Sequence, residues 1–175
     1  MDIEVGNLTI LLYADDIVLL AKTPADMQRM INLLETFGNS VEIKFNPTKT
    51  NYMVINGHLK QHQRLLNTTL KMNDLNIEMV STMKYLGNIV NKTLSNTDHI
   101  SNRIRLTAAA MFKLNDYGYD ESLDAMTIIQ LYKIYGRTTL LYGLENLNLE
   151  IGETDRVSAF EKAVIKISQI CAFSP

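Results

Sequence analysis

Two short apolar runs, Leu8 to Tyr13 and Ile17 to Ala21, flank Ala14-Asp15-Asp16 near the start of the chain. Strand-length apolar runs on both sides of a short acidic turn predict a β-hairpin with the acids at its exposed tip. The runs are apolar almost throughout, so these strands should be covered on one face and partly on the other. Thr23-Pro24 then opens a helix, with Thr23 as cap and Pro24 at the first helical position, where no N–H is needed. Met27, Met30, Ile31, Leu34 and Phe37 keep helical spacing, and Gly38 would supply a left-handed stop. This helix is expected to pack on the hairpin sheet.

Lys44 to Thr50 reads as a polar loop around Pro47. Short strands are expected over Asn51–Asn56, Thr69–Met72, Ile77–Val80 and Lys84–Val90. From His99 onward the periodicity is helical only. Ile100, Ile104, Ala108 and Met111 form one stripe. Asp120 or Ser122 would cap a second helix running to Tyr142. Val157, Phe160, Val164, Ile167 and Cys171 form a third stripe, with Thr154 as its cap. Ile128, Ile129, Leu131, Ile134, Leu140 and Leu141 point several ways around the second helix. That helix should be partly exposed, and the chain should self-associate. The methionines at 27, 30, 72, 79 and 83 read as core packing. The pattern is α+β: an antiparallel sheet with one packed helix, then a helical segment. The boundary is expected in the polar, turn-forming stretch Asn91–Asp98, giving parts 1–92 and 93–175.

Length and composition narrow the function classes. A chain of 175 residues, 46% hydrophobic and 21% charged, can bury a sizeable core. Its net charge of −2 gives no global basic field. The charge is unevenly spread, however. Residues 61–115 hold seven Lys/Arg against three Asp/Glu, whereas residues 116–175 hold five against nine. The middle third is therefore where nucleic acid would bind. One cysteine, Cys171, excludes an internal disulfide and a zinc cluster. His58 and His62 read as exposed polar residues. Neither a signal-peptide core nor a membrane-length apolar run is present, so the protein is expected to be intracellular, nuclear or cytoplasmic, with no membrane partner.

The candidate chemistry sits on Tyr13-Ala14-Asp15-Asp16. A two-metal phosphoryl-transfer site needs carboxylates fixed close together, because the metals sit only ~4 Å apart. Two acids on a rigid hairpin turn can provide part of such a site, with Mg²⁺ completing its shell from substrate phosphates and water.

The order of motifs resembles reverse transcriptases of the non-LTR (LINE-type) retrotransposon family. Tyr13-Ala14-Asp15-Asp16 matches the YxDD signature. Phe45-Asn46-Pro47-Thr48-Lys49-Thr50 resembles the NPxKT element, and Lys84-Tyr85-Leu86-Gly87 the YLG turn of the primer grip. Ile100 to Leu114 resembles the first thumb helix, and Leu141-Tyr142-Gly143-Leu144-Glu145 the close of the second. The resemblance implies the C-terminal part of a reverse-transcriptase palm followed by an α-helical thumb. It implies RNA-directed DNA polymerase activity by two-metal nucleotidyl transfer, with Mg²⁺, or Mn²⁺, as cofactor and an RNA template and DNA primer as partners. Asp15 would be the main metal ligand and Asp16 a weaker one. Tyr13 and Ala14 would lie near the primer end and the incoming nucleotide. Lys49 would protonate the pyrophosphate leaving group. Tyr85, Leu86 and Gly87 would form a tight turn against the primer backbone.

On the first thumb helix, Asn102, Arg105 and Lys113 fall opposite Ile100, Ile104 and Met111 at about 100° per residue, free to meet phosphates weakly and without sequence preference. The family's upstream palm aspartate and triphosphate-binding fingers residues do not fit in the 12 residues before Tyr13, so the chain is expected to be inactive alone. The alternative is a non-catalytic nucleic-acid-binding or scaffold protein derived from a retroelement.

Overall fold

The computed structural model describes residues 10–55, 69–118 and 125–171. His58, His62 and the expected caps Asp120 and Ser122 lie outside them, as do Leu8 and Asn56. The chain forms two compact units, Met1–Ser81 and Thr82–Pro175.

The first unit opens with strands β1 (Ile10–Tyr13) and β2 (Asp16–Leu19), paired antiparallel with Tyr13 opposite Asp16 and Ile10 opposite Leu19. Helix α1 (Pro24–Ser40) follows. The Thr23 hydroxyl accepts from the Asp26 N–H at 3.1 Å, and Pro24 occupies the first turn. Gly38 does not end this helix. It lies in the last turn, buried, where a Cβ would come within 2.6 Å of the Phe45 ring and 2.8 Å of the Ile43 carbonyl. The left-handed residue is Glu42 (φ 59°), and the Ile43 N–H closes back on the Gly38 carbonyl at 2.8 Å, as in a Schellman ending. Glycine is needed at 38 for close approach, not for its φ.

A single 3₁₀ turn, Pro47–Lys49, leads into β3 (Asn51–Tyr52). Strands β4 (Lys71–Met72) and β5 (Leu75–Asn76) form a second hairpin whose loop residues, Asn73 and Asp74, both have positive φ. Strand β6 (Glu78–Met79) pairs parallel to β3. The expected strand 69–72 is thus one arm of a hairpin completed by Leu75–Asn76, and the expected strand 77–80 narrows to two residues paired with β3. The Asn73-Asp74 loop is a type I′ signal, because both residues tolerate the left-handed region. Ile31, Leu70, Met72 and Ile77 form the core, with Leu19, Met27, Phe45 and Tyr52 packed around it. Met79 is exposed instead of packed. Gln28 fastens α1 to β4 by a reciprocal amide pair: its Nε2 donates to the Lys71 carbonyl and its Oε1 accepts from the Lys71 N–H, both at 2.8 Å.

In the second unit, residues 84–90 form a hairpin and not one strand. Strand β7 (Thr82–Tyr85) pairs antiparallel with β8 (Asn88–Asn91) around Leu86-Gly87. The polar stretch 91–98 lies within this unit as a bonded turn. Buried Asn91 donates to the Ser95 carbonyl and Asp98 carboxylate, and accepts from Thr93 and the Ser95 N–H. Helix α2 spans Thr97–Gly118.

The second helix is interrupted. Helix α3 (Ala125–Leu131) runs into a π-helical turn at Tyr132–Gly136 and then α4 (Arg137–Leu141). The Tyr132 ring occupies the space a Cβ at Gly136 would fill, and the buried Thr107 hydroxyl reaches the Gly136 carbonyl at 3.5 Å. The Tyr132 hydroxyl donates to Glu161, which also pairs with Arg137; burial and that carboxylate push the phenol pKa up. Helix α5 (Ile151–Cys171) starts before Thr154. Glu150 caps it, and the Glu153 carboxylate accepts from the Glu150 N–H at 3.0 Å, while Thr154 lies within the first turn. Ile100, Leu140, Leu144 and Val157 make the core, with Ile104, Leu147, Leu149 and Phe160 against it. Met126, Ile134, Tyr135 and Leu141 stay exposed on the second-helix segment. No helix among the described residues is long and apolar enough to cross a membrane.

Candidate functional site

In the first unit the β1–β2 loop consists of Ala14 and Asp15 alone, with positive φ confined to Ala14 (φ 50°), as in type II′ turns. Asp15 sits in the loop, and Asp16 is the first residue of β2. Both are exposed, as are Tyr13 and Ala14. The short loop and the paired strands fix where the two carboxylates start. Their chemistry is that of hard, anionic oxygen donors, which suits Mg²⁺ or Mn²⁺. Two adjacent acids are, however, fewer ligands than a metal site of protein groups alone requires. Among the described residues no cluster of three or more His, Cys, Asp or Glu could hold a metal. The donor set fits a metal whose remaining ligands are phosphates, water or a further carboxylate.

Lys49 ends the 3₁₀ turn. Asn46 organises that turn: its Oδ1 accepts from the Thr48 N–H at 3.0 Å and the Thr48 hydroxyl at 2.7 Å, and its carbonyl accepts from the Thr50 hydroxyl at 2.9 Å. Pro47 presets the first turn residue. The element is a rigid support from which Lys49 projects into solvent. Among the described residues Lys49 forms no ion pair with Asp15 or Asp16.

In the second unit, Tyr85, Leu86 and Gly87 close the β7–β8 hairpin. Leu86 (φ 46°) and Gly87 (φ 80°) both lie in the positive-φ region, the type I′ pattern. Left-handed backbone is ordinary for glycine but costs a bulky residue about 1–2 kcal/mol. Both loop carbonyls are held. The Tyr142 hydroxyl donates to the Leu86 carbonyl at 2.9 Å, and Arg103 Nη2 donates to the Gly87 carbonyl at 2.5 Å. The Arg103 guanidinium lies 4.5 Å from the centre of the Tyr142 ring, a cation–π distance. A Cβ at Gly87 would come within 3.0 Å of that ring.

His99 secures the same corner. Its Nδ1 accepts from the Ile89 N–H at 3.2 Å, so its proton is on Nε2, which donates to the Tyr142 carbonyl at 3.1 Å. Burial is the main cause lowering its pKa, with the Arg103 charge adding to it; the Tyr142 carbonyl and Glu145 act the other way. The folded pKa lies below the unfolded value of 6.5, so the unfolded chain takes up the proton first as pH falls. The stabilising contribution is complete above about pH 6.5 and declines below it. Denaturant midpoints measured between pH 7.5 and 5.5 should fall more steeply for the chain than for His99→Gln. Parallel slopes would rule out His99 as the source.

On α2, Arg105 and Lys113 are exposed and Asn102 is half-buried. Arg105 Nη2 donates to Asn102 Oδ1 at 3.0 Å, so these two act as one polar pair, with Lys113 two turns further on. Sequence reasoning missed His99, Arg103 and Tyr142. The available signal was the i, i+4, i+8 spacing of His99, Arg103 and Thr107, three polar residues on one helical stripe.

Residues 2–90 match the family profile described as reverse transcriptase (RNA-dependent DNA polymerase). Neither a curated protein nor a solved structure matches the chain.

Proposed function

Because the chain belongs to the reverse transcriptase (RNA-dependent DNA polymerase) family, we propose that it carries the C-terminal part of a palm, residues 1–92, and a helical thumb-like segment, residues 93–175, of an RNA-directed DNA polymerase of the non-LTR (LINE-type) group. The observation that carries this reading is the pair of exposed acids at one hairpin end within the matched segment, Asp15 in the two-residue loop and Asp16 at the start of β2. The group assignment rests on the order of Phe45-Asn46-Pro47-Thr48-Lys49-Thr50, Lys84-Tyr85-Leu86-Gly87 and Leu141-Tyr142-Gly143-Leu144-Glu145. The division at 92/93 is one of polymerase parts. It differs from the division into compact units, in which the 82–91 hairpin belongs with the helices.

In the reaction, a primer 3′-hydroxyl loses its proton to water, its oxygen bonds to the α-phosphorus of an incoming nucleotide, and the bond from that phosphorus to the pyrophosphate oxygen breaks. Asp15 and Asp16 would hold the divalent cations, with Asp15 the principal ligand. When bound, those cations favour the 3′-alkoxide and neutralise charge on the phosphates. Tyr13 and Ala14 would border the primer end and the nucleotide. Lys49 Nζ would give its proton to the departing pyrophosphate oxygen, and its cation would stabilise that oxygen as charge develops. Tyr85 to Gly87 would meet the primer backbone, and Asn102, Arg105 and Lys113 the duplex phosphates. Two carboxylates form only part of a two-metal cage, so we assign the remaining ligand to a palm carboxylate on another segment of the polymerase and expect no incorporation by residues 1–175 alone.

The test is extension of a DNA primer on an RNA template in Mg²⁺ and in Mn²⁺. It is run with the chain alone and with an added reverse-transcriptase fragment bearing fingers and upper palm. Incorporation should require both parts. No incorporation in any combination, with no duplex binding at low salt, would count against a polymerase part and leave a non-catalytic scaffold.

A further inference from the structure

Arg103 is only 8% exposed, yet among the described residues the sole ion pair joins Arg137 and Glu161. A buried cation without a carboxylate is costly compared with a neutral side chain of similar size, so packing alone is a poor reason for an arginine here. Its contacts are a backbone carbonyl in the 86–87 loop and the face of Tyr142. Tyr142 takes the other loop carbonyl, and its own backbone is held by His99. The loop therefore has both carbonyl oxygens drawn to one side, with a positive charge directly behind it. It also contains a leucine in the left-handed region, a conformation that persists only where surrounding contacts over-determine it.

From this arrangement we propose that Arg103 and Tyr142 are positioning residues. They lock the Leu86–Gly87 loop in its positive-φ conformation before nucleic acid arrives, and the uncompensated Arg103 charge favours a phosphate at the loop. The locking half stands on the contacts alone; the phosphate half rests on the proposed role of Tyr85 to Gly87 at the primer backbone. Positioning of this kind places the effect in binding, because a preformed loop loses less conformational freedom when a ligand docks.

The experiment uses the full chain and three variants. Tyr142→Phe removes one hydroxyl and keeps the ring. Arg103→Gln removes the charge, and Arg103→Lys keeps the charge but loses the fork. Amide hydrogen exchange is read at Leu86, Gly87 and Asn88 against the α2 amides, and affinity is titrated with an RNA–DNA duplex at low salt. Tyr142→Phe should speed exchange at the loop roughly three- to tenfold, the size expected for one lost hydrogen bond, without changing exchange in α2. Arg103→Gln should weaken duplex binding about tenfold, and Arg103→Lys should recover part of that loss. Unchanged loop exchange in both Tyr142→Phe and Arg103→Gln would overturn the locking. Loosened loops with undiminished affinity, or no recovery by lysine, would overturn the phosphate role. If the unaltered chain binds no duplex, the primer-contact reading fails, and the exchange data alone decide the locking. Should Arg103→Gln not fold, Tyr142→Phe carries the exchange measurement and Arg103→Lys the titration, where affinity equal to that of the unaltered chain would overturn the phosphate role of the guanidinium.

Discussion

Asp15→Asn should lower nucleotide incorporation about a thousandfold or more in an assembly that extends a primer, with the unfolding transition left in place. Asparagine keeps the shape of the side chain but removes the anionic oxygen that a hard divalent cation requires. A thousandfold is about 4 kcal/mol of transition-state stabilisation, well within what loss of a metal ligand removes. The unchanged stability follows from exposure: the Asp15 side chain is in solvent at a hairpin loop and contributes nothing to the core around Ile31 and Met72. Asp16→Asn should cost less, about ten- to a hundredfold, if Asp16 is the weaker ligand. Lys49→Ala should cost about a hundredfold, at the low end for a general acid. Primer-extension rates and thermal denaturation of the same samples test this set. Equal rates for the chain and Asp15→Asn would remove the hairpin from catalysis.

Gly143→Ala should destabilise the second unit by about 2–4 kcal/mol. Gly143 has φ 80°, where an L side chain is strained, and a Cβ there would sit 1.9 Å from Asn88 Oδ1 and 3.1 Å from His99 Nε2. Strain of about 1 kcal/mol and overpacking of about 1–3 kcal/mol act together. Asn88 Oδ1 is buried, so the side chain that must give way has no open solvent beside it to turn into. Gly152→Ala makes the control. That glycine lies in the first turn of α5 with nothing within 4 Å of its Cβ position. There, alanine should be neutral or stabilise by up to ~1 kcal/mol. Urea denaturation of both variants measures the difference. A loss at 143 no greater than at 152 would show that the left-handed corner is not required.

The Asp15–Asp16 hairpin and helix α1 were legible in the sequence because their causes are local. Apolar runs of strand length met at an acidic turn, and Thr23-Pro24 stood before a 3.6-residue repeat. The Asn73-Asp74 hairpin is equally local but not legible as a hairpin, since its strands are two residues each and leave too little periodicity. The break in the second helix was not local. Tyr132–Gly136 contains no proline, and the π-helical turn accompanies packing of the Tyr132 ring over Gly136 and capture of the Gly136 carbonyl by Thr107, 29 positions earlier.

By itself the sequence determined the first hairpin and helices α1, α2 and α5 over most of their length, while the short strands after Thr50 and the break in the second helix were not readable from it. It also determined that two carboxylates stand side by side on a turn, and that α2 has one apolar stripe. Only the tertiary structure decided what happens to the polar stripe beside it. A polar residue on a helix reads as solvent-facing, because water is its default partner. His99, Arg103 and Thr107 are instead buried against the backbone carbonyls of Tyr142, Gly87 and Gly136. Those acceptors come from two turns and a widened helical segment, and they face α2 only once the chain has folded. Burying a donor is favourable only where an acceptor is already placed. The identity of the side chain is written in the sequence; the position of its partner depends on contacts between distant residues.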